Sequence, residues 1–514
     1  MDDIPPTGLR RAAVAVPVAF ALTKLALHLA VNLAGMYGYF RDEFYYLACA
    51  DHLAWGYVDQ PPLSIGILWV VRALFGESMF AIRLVPACAG AGVVLLVGLL
   101  ARQMGGGRVA QAFACTGALV SPLYMGIVSL YSMNSVEILF WALAAWMTAR
   151  MFASGNLRLW IPIGLIVGLG LLNKISMGWY AMGLVFGILL SEHRRMLATP
   201  WPWASGGIAL LLFLPHLLWQ AGHDWPTLEF MRNAQLYKNA PVSFADFMLG
   251  QIRELHPFAF PLWGTGLVAL FFRKELRTYR PFGILYLSVF ALLVLQHGKV
   301  YYLAPAYPAL LAAGGITIAD LLALPRWRWL RISYMTLLAA GGLLVAPFAL
   351  PILPIDTYIS YAEALGVTPT PAEKQSLGKL PQHFADRFGW KEMVEVVSRV
   401  YQSLPDSEKA VCGIFTQNYG EAGAIDFFGK DLGLPRALSG HNNYWYWPPD
   451  REIRVVIVIG GNPSDHAKVF DDVQPATRIH ADYAMPYESN LPVFVCRRPK
   501  VSLAEVWPRV KHFI

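Results

Sequence analysis

The sequence predicts a polytopic, all-α membrane bundle of about 11 transmembrane helices, followed by a small α/β domain. Three observations predict it. Apolar residues make up 56% of the chain and charged residues only 15%, with a mean hydropathy of +0.44. A soluble domain carries roughly 25% charge. Apolar runs near spanning length, about 20 residues, recur along the first two thirds. After Pro354 the composition turns charged and rich in turns.

The runs fall at 12–36, 79–101, 109–128, 135–153, 159–173, 175–190, 204–220, 258–272, 282–296, 302–322 and 331–349. Basic residues mark every second connection. They are Arg10 and Arg11, Arg102 and Arg108, Arg150 and Arg158, His193 with Arg194 and Arg195, Arg273 to Arg280, and Arg326 to Arg331. Such connections face the cytoplasm. The others then face out: 37–78, 129–135, the Asn173-Lys174 turn, 221–257, 297–301 and everything after 350. The net charge of +7 therefore reads as topology, and nucleic acid is excluded as a partner. No small-residue cleavage site follows the first run, so it is expected to remain a span.

Between the first two runs, Ile65–Phe75 is apolar but too short to cross, which suits a helix lying in the interface. The segment 221–257 reads as one or two short helices opening at Trp225-Pro226. The composition change divides the chain into a membrane domain, 1–350, and an outward-facing α/β domain, 351–514. In the latter, Val411–Phe415, Arg454–Ile459 and Val493–Cys496 read as strands. Tyr419–Phe428, Ser464–Val473 and Ser502–Lys511 read as helices. Cys88 and Cys115 fall in apolar runs and read as core residues. Cys412 and Cys496 offer one candidate disulfide.

The chemistry concentrates in outward turns. The first outer loop sets Asp42 and Glu43 side by side, then Asp51 and Asp59, among Tyr and Trp. Carboxylates held near a bilayer are costly and usually serve a site. Glu137 enters the fourth run, Lys174 joins the fifth and sixth, and Gln296-His297-Gly298-Lys299-Val300-Tyr301-Tyr302 joins the ninth and tenth. Carboxylates supply acid–base chemistry, while Lys174, Lys299 and a Tyr hydroxyl suit a phosphate at headgroup level. Snorkelling is the alternative reading of each lysine, and helix capping that of Glu137. Together they suggest that a sugar leaves a lipid phosphate as a carboxylate deprotonates an acceptor hydroxyl or amine. No divalent metal is expected, because Lys and Arg can meet the phosphate charge. In the C-terminal part, Asn418, Glu421, His441 and Asn443 lie in amide- and aromatic-rich segments that suit a carbohydrate surface.

Arg41-Asp42-Glu43-Phe44-Tyr45-Tyr46, Gly56-Tyr57-Val58-Asp59-Gln60-Pro61-Pro62-Leu63 and the Lys299…Tyr302…Pro305…Pro308 pattern resemble the GT-C glycosyltransferases. They are most similar to bacterial members of glycosyltransferase family 39, of the protein O-mannosyltransferase and aminoarabinose transferase types. The resemblance covers roughly residues 20–325. It implies a multi-pass enzyme of the bacterial inner membrane that uses a polyprenyl-phosphate sugar and inverts the anomeric centre. Its site and C-terminal domain would face the periplasm, and its acceptor would be a periplasmic glycan, lipid or protein. On this resemblance Asp42 is the catalytic base and Glu43 the second acid, assisted by Glu137. Lys299, Tyr302, Lys174 and Arg41 would hold the donor phosphate. Asp59, Gln60 and His297 would join the C-terminal residues around sugar or acceptor. Gln60 stands where aminoarabinose-type members place Lys, so the phosphate charge must be met elsewhere, first by Lys299. The competing class is a transporter or flippase of a lipid-linked sugar, which more often shows two matching halves; none is visible here. A membrane scaffold with a glycan-binding domain is the third.

Overall fold

A computed structural model describes the backbone of residues 7–371 and 373–514, with side chains from residue 14 onward. The side chains of Arg10 and Arg11, which anchor the topology reading, lie outside the described residues. The chain folds as two compact units. One comprises Met1–Gly35, Glu77–Leu218 and Pro241–Ile352. The other comprises Met36–Gly76, Trp219–Ala240 and Leu353–Ile514.

The first unit is helical. Among the described residues six helices are long and apolar enough to cross a membrane: Val14–Ala34, Met79–Gln103, Met133–Ser154, Pro200–Gly222, Lys274–Leu295 and Pro325–Phe348. Two further pairs, Phe244–Leu255 with Pro257–Phe272 and Val300–Ala306 with Pro308–Leu321, bend by 95° and 65°. Each pair breaks at a proline, Pro257 or Pro308. Proline donates no backbone N–H, and it pushes the preceding residue out of the helical region. With each bent pair counted as one span the number is eight. Three apolar runs expected to span give shorter helices. Leu157–Asn173 and Met177–Leu189 are two of them. The run 109–128 divides at Ser121-Pro122 into Arg108–Leu119 and Pro122–Ile127, with Ser121 capping the second piece. A 12-residue helix reaches only about 18 Å at 1.5 Å per residue.

Small residues let these helices touch. A Cβ on Gly314 would lie 1.8 Å from the Leu262 carbonyl oxygen, and one on Gly266 2.0 Å from that of Leu310. Backbone approach of this kind is the usual packing device between helices in lipid.

The second unit carries a five-stranded mixed sheet of β1 (Cys412–Thr416), β2 (Ala437–Ser439), β3 (Val455–Ile459), β4 (Phe470–Ile479) and β5 (Leu491–Pro499), in the order β2-β1-β3-β5-β4. β1 runs parallel to β2 and β3, while β5 is antiparallel to β3 and β4. The helix Tyr419–Phe428 makes the β1-to-β2 crossover that parallel strands require. β3 is buried along its whole length, as its uninterrupted Val and Ile demand.

Two expectations are corrected here. Ser464–Val473 is not one helix: Pro463–His466 is a single turn, and β4 begins at Phe470. Cys412 and Cys496 are free thiols. They sit on β1 and β5, opposite Val455 and Val456 of the intervening β3. Strands two apart are separated by about 10 Å, beyond the Cα reach of a disulfide.

The short segments assigned to the second unit also form as expected. Leu63–Phe75 is a helix of 13 residues, too short to cross. Pro226–Asn233 opens at Trp225-Pro226.

Candidate active site

Asp42 lies in the first turn of the helix Arg41–Asp51. That helix starts where it does because Phe40 is extended and Glu43, three residues on, reaches back to accept its N–H at 2.8 Å. Glu43 is fully buried in this cap, whereas the Asp42 side chain remains 35% exposed. Tyr419 donates its hydroxyl to Asp42 Oδ1 at 2.9 Å. Tyr419 opens the crossover helix, and the contact depends on glycine. A Cβ on Gly423 would lie 2.7 Å from Phe44 Cβ, and one on Gly420 would strike the Arg41 side chain. These two small positions, one turn apart, let the helices meet within the second unit.

Arg41 lies behind Asp42. Its Nε is 3.7 Å from Asp42 Oδ1, its Nη2 is 3.8 Å from Asp386 Oδ2, and its Nη1 donates to the Tyr487 hydroxyl. Burial works against the guanidinium charge, but Asp386, Tyr419, Tyr487 and Asp42 outweigh it and hold the pKa well above its ordinary value. The Asp386 carboxyl has no exposed surface, and burial pushes it up to about 6.

Asn418 caps the crossover helix. Its Oδ1 accepts from Gly420 N–H and Glu421 N–H, and its Nδ2 donates to Glu421 Oε1 and Glu488 Oε1, both at 2.9 Å. His441 Nδ1 accepts from Tyr419 N–H and its Nε2 lies 2.9 Å from the Ile514 carbonyl. That assigns a neutral ring protonated at Nε2, and burial likewise lowers its pKa well below the ordinary value. Tyr45 stacks on Tyr419 with centroids 4.6 Å apart and donates to Asp59 Oδ1 at 2.8 Å. Burial pushes Asp59 up to about 6. Asn443 accepts from Val58 N–H at 2.7 Å. Asn418, Glu421, His441 and Asn443 thus bond inside the unit, where they frame Tyr419 and the Asp59 turn.

In the first unit a second group forms around Lys174. Its Nζ is 2.7 Å from both Glu137 Oε2 and Asn134 Oδ1. Ser176 donates to the other Glu137 oxygen. The ammonium also lies 5.0 Å from the Tyr302 ring centroid, within cation–π range. Lys299 caps the turn Val300–Ala306 that carries Tyr302, and its carbonyl accepts the Tyr302 N–H at 3.1 Å. Glu137, Lys174 and Tyr302 therefore come together, and Lys299 lies one turn away in sequence.

Residues 59–219 match the family model for dolichyl-phosphate-mannose-protein mannosyltransferase. The undecaprenyl phosphate-α-4-amino-4-deoxy-L-arabinose arabinosyl transferase 2 of Pseudomonas fluorescens (strain Pf0-1) is 23% identical over 293 residues, 54% of this chain and 53% of that protein. The match thus spans about half the length of that relative. Solved structures add the remainder. ArnT from Cupriavidus metallidurans bound to undecaprenyl phosphate superposes with a TM-score of 0.59 at 14% identity, over 96% of this chain and 98% of that one. Its apo state gives a TM-score of 0.56 over 95% and 98%. The chain has the GT-C glycosyltransferase fold.

Within this fold the remaining candidates are placed as follows. Asp59 and Gln60 form a turn in which Tyr57 N–H donates to the Gln60 carbonyl. The Gln60 side chain is 1% exposed, and neither atom of its carboxamide meets a partner among the described residues. His297 is exposed, with φ of +51° and Nδ1 3.3 Å from the Val242 carbonyl. Asp51 pairs with Arg72 at 2.9 Å. Sequence reasoning missed Tyr419 as the partner of Asp42, together with Asp386, Tyr487, Glu488 and Ser176. Tyr419 had a usable signal: it directly follows an Asn that can cap a helix. The others lie in segments whose local sequence carries no sign of the contact.

Proposed function

We propose that this chain is an integral membrane glycosyltransferase that moves a sugar from a polyprenyl-phosphate donor to a periplasmic acceptor, with inversion at the anomeric carbon. The carrying observation is Asp42: a carboxylate that keeps solvent access while Tyr419 and Arg41 fix its position. In this reading an acceptor hydroxyl or amine gives its proton to Asp42 as its lone pair attacks the anomeric carbon. The bond from that carbon to the phosphate oxygen breaks, and its electrons leave with the phosphate. One displacement inverts the centre. Glu43 fixes the helix that carries the base.

Charge grows on the departing phosphate and calls for preplaced cations. The phosphate role is assigned first to Lys299, which opens the turn that carries Tyr302; Lys174 bonds Glu137 and Asn134. No divalent metal is needed in this scheme. A polyprenyl-phosphate donor fits the relatives, one of them named for transfer from undecaprenyl phosphate and one solved with that lipid bound. Lys299→Ala is expected to weaken donor binding about tenfold to a hundredfold, since charge-assisted bonds are worth roughly 1.5–3 kcal/mol. Titration of the folded variant with lipid-linked donor checks this. Unchanged affinity would move the phosphate to Lys174 or Arg41. The activity itself is tested by release of polyprenyl phosphate from labelled donor, which neither a flippase nor a scaffold would produce.

The proposed location is the bacterial inner membrane, with Asp42, His297 and residues 355–514 on the periplasmic side and Arg194 and Lys274 in the cytoplasm. Ser464 and Arg277 are both exposed. In a background lacking the exposed Cys88, an impermeant thiol reagent should label Ser464→Cys from outside and spare Arg277→Cys. The reverse pattern would overturn the orientation.

A further inference from the structure

Glu421 and Glu488 are two carboxyl groups that the proposed reaction does not use. They are 2% and 6% exposed. Both accept from the one amide nitrogen of Asn418, each at 2.9 Å, which holds the two carboxyl groups side by side. Two buried carboxyl groups held this close cannot both ionise cheaply, and one proton between them removes the repulsion. Glu488 Oε2 is buried and meets no donor, so a full charge there would go unsolvated. Arg41 is the cation that faces Glu488. Its guanidinium is already shared among Asp42, Asp386 and Tyr487. Asp386 also faces the pair, and Glu373 stands near Tyr487.

Asn418 links this pair to the base. Its amide nitrogen is held by the two carboxyls, while its oxygen caps the helix that begins at Tyr419. We propose that Glu421 and Glu488 share one proton, and that the protonated pair, acting through Asn418, positions the Tyr419 hydroxyl on Asp42. Loss of the last proton would leave two buried charges repelling across one amide. The cap then loosens, and Tyr419 loses its hold on Asp42. Glu421 and Glu488 are thus positioning residues. The inference rests on the role proposed for Asp42.

Burial, then repulsion from its neighbour, raises Glu421 well above the carboxylate range; burial first pushes Glu488 to about 7. A carboxyl whose folded pKa lies above its unfolded value adds stability that is complete below the unfolded pKa. That stability is lost as pH rises through about 7, because the native state binds the extra proton.

Glu488→Gln is the test. Its carbonyl can accept from Asn418, and its amide falls where Glu488 Oε2 has no partner, so it imitates the neutral acid. The purified full chain should show two changes. Its melting midpoint should exceed that of the wild type on the alkaline side of 7 and match it on the acid side. The wild type should lose kcat on the alkaline side, and the variant should not. An unaltered pH dependence of melting would overturn the shared proton. Altered melting with an unmoved kcat profile would overturn the positioning role. Melting is read without turnover, so it separates this inference from the base assignment, which Asp42→Asn tests alone. If Glu488→Gln does not fold, Glu421→Gln takes its place, with the same expected reduction in the pH dependence of melting.

Discussion

Asp42→Asn is expected to leave the protein folded and able to bind donor while lowering turnover by about 10²–10⁴, the usual worth of general-base help. Asn keeps the shape of Asp, and its Oδ1 can still accept from the Tyr419 hydroxyl that now lies at 2.9 Å. Arg41 loses one neighbouring charge but retains Asp386 and Tyr487. The helix cap is untouched, because Glu43 makes it. What Asn cannot do is take the acceptor's proton. Asp51→Asn is the control: its pair with Arg72 is 40% exposed on the Asp side, and such pairs are worth about 0–1 kcal/mol. Asp59→Asn should fall between, since it weakens the Tyr45 bond that shapes its turn. Purified enzyme and lipid-linked donor give turnover; donor titration and melting give the two controls. Near wild-type turnover of Asp42→Asn would remove it as the base and bring Asp59 forward.

Much of the second unit was readable because its signals are local. The helix Tyr419–Phe428 follows an Asn cap, and β3 is a run of Val and Ile. The misread stretch, Ser464–Val473, fails for a physical reason. β4 is an edge strand with most of its middle exposed, so no alternation of apolar residues marks it. The spans were legible as composition but not as geometry. The sequence shows the apolar runs, whereas the bends at Pro257 and Pro308 depend on how the freed backbone packs. The acidic start at Asp42 stood out because charge is rare near the membrane. Its surroundings did not, because Arg41 meets Asp386 and Tyr487, and Asp42 meets Tyr419, across hundreds of residues. Nothing in a local window encodes such pairs. The same limit hid the difference between Asp42 and Glu43, adjacent in sequence, one partly exposed and the other sealed into a helix cap.

Glu137→Ala is expected to destabilise the first unit by about 3–5 kcal/mol, the cost of stranding one partner of a buried ion pair. The Lys174 side chain is 11% exposed and that of Glu137 6%, with 2.7 Å between Nζ and Oε2. Water therefore cannot replace the lost carboxylate. Ser176 loses its acceptor at the same time. Asn134 at 2.7 Å and the Tyr302 ring remain near the ammonium, which places the effect toward the lower end of that range. Removing the charge altogether should reverse most of it. Glu137→Gln combined with Lys174→Met replaces two buried ions by neutral groups of similar volume, a change that is often neutral or stabilising. The cycle of Glu137→Gln, Lys174→Met and their combination, read by denaturant unfolding in detergent, isolates the pair's coupling. Additive losses would mean that the pair is not coupled, and that Glu137 acts only through Ser176. Coupled losses would make the ion pair the element that holds the Asn173-Lys174 turn against the start of Met133–Ser154. Lys174 would then be a fixed part of the frame.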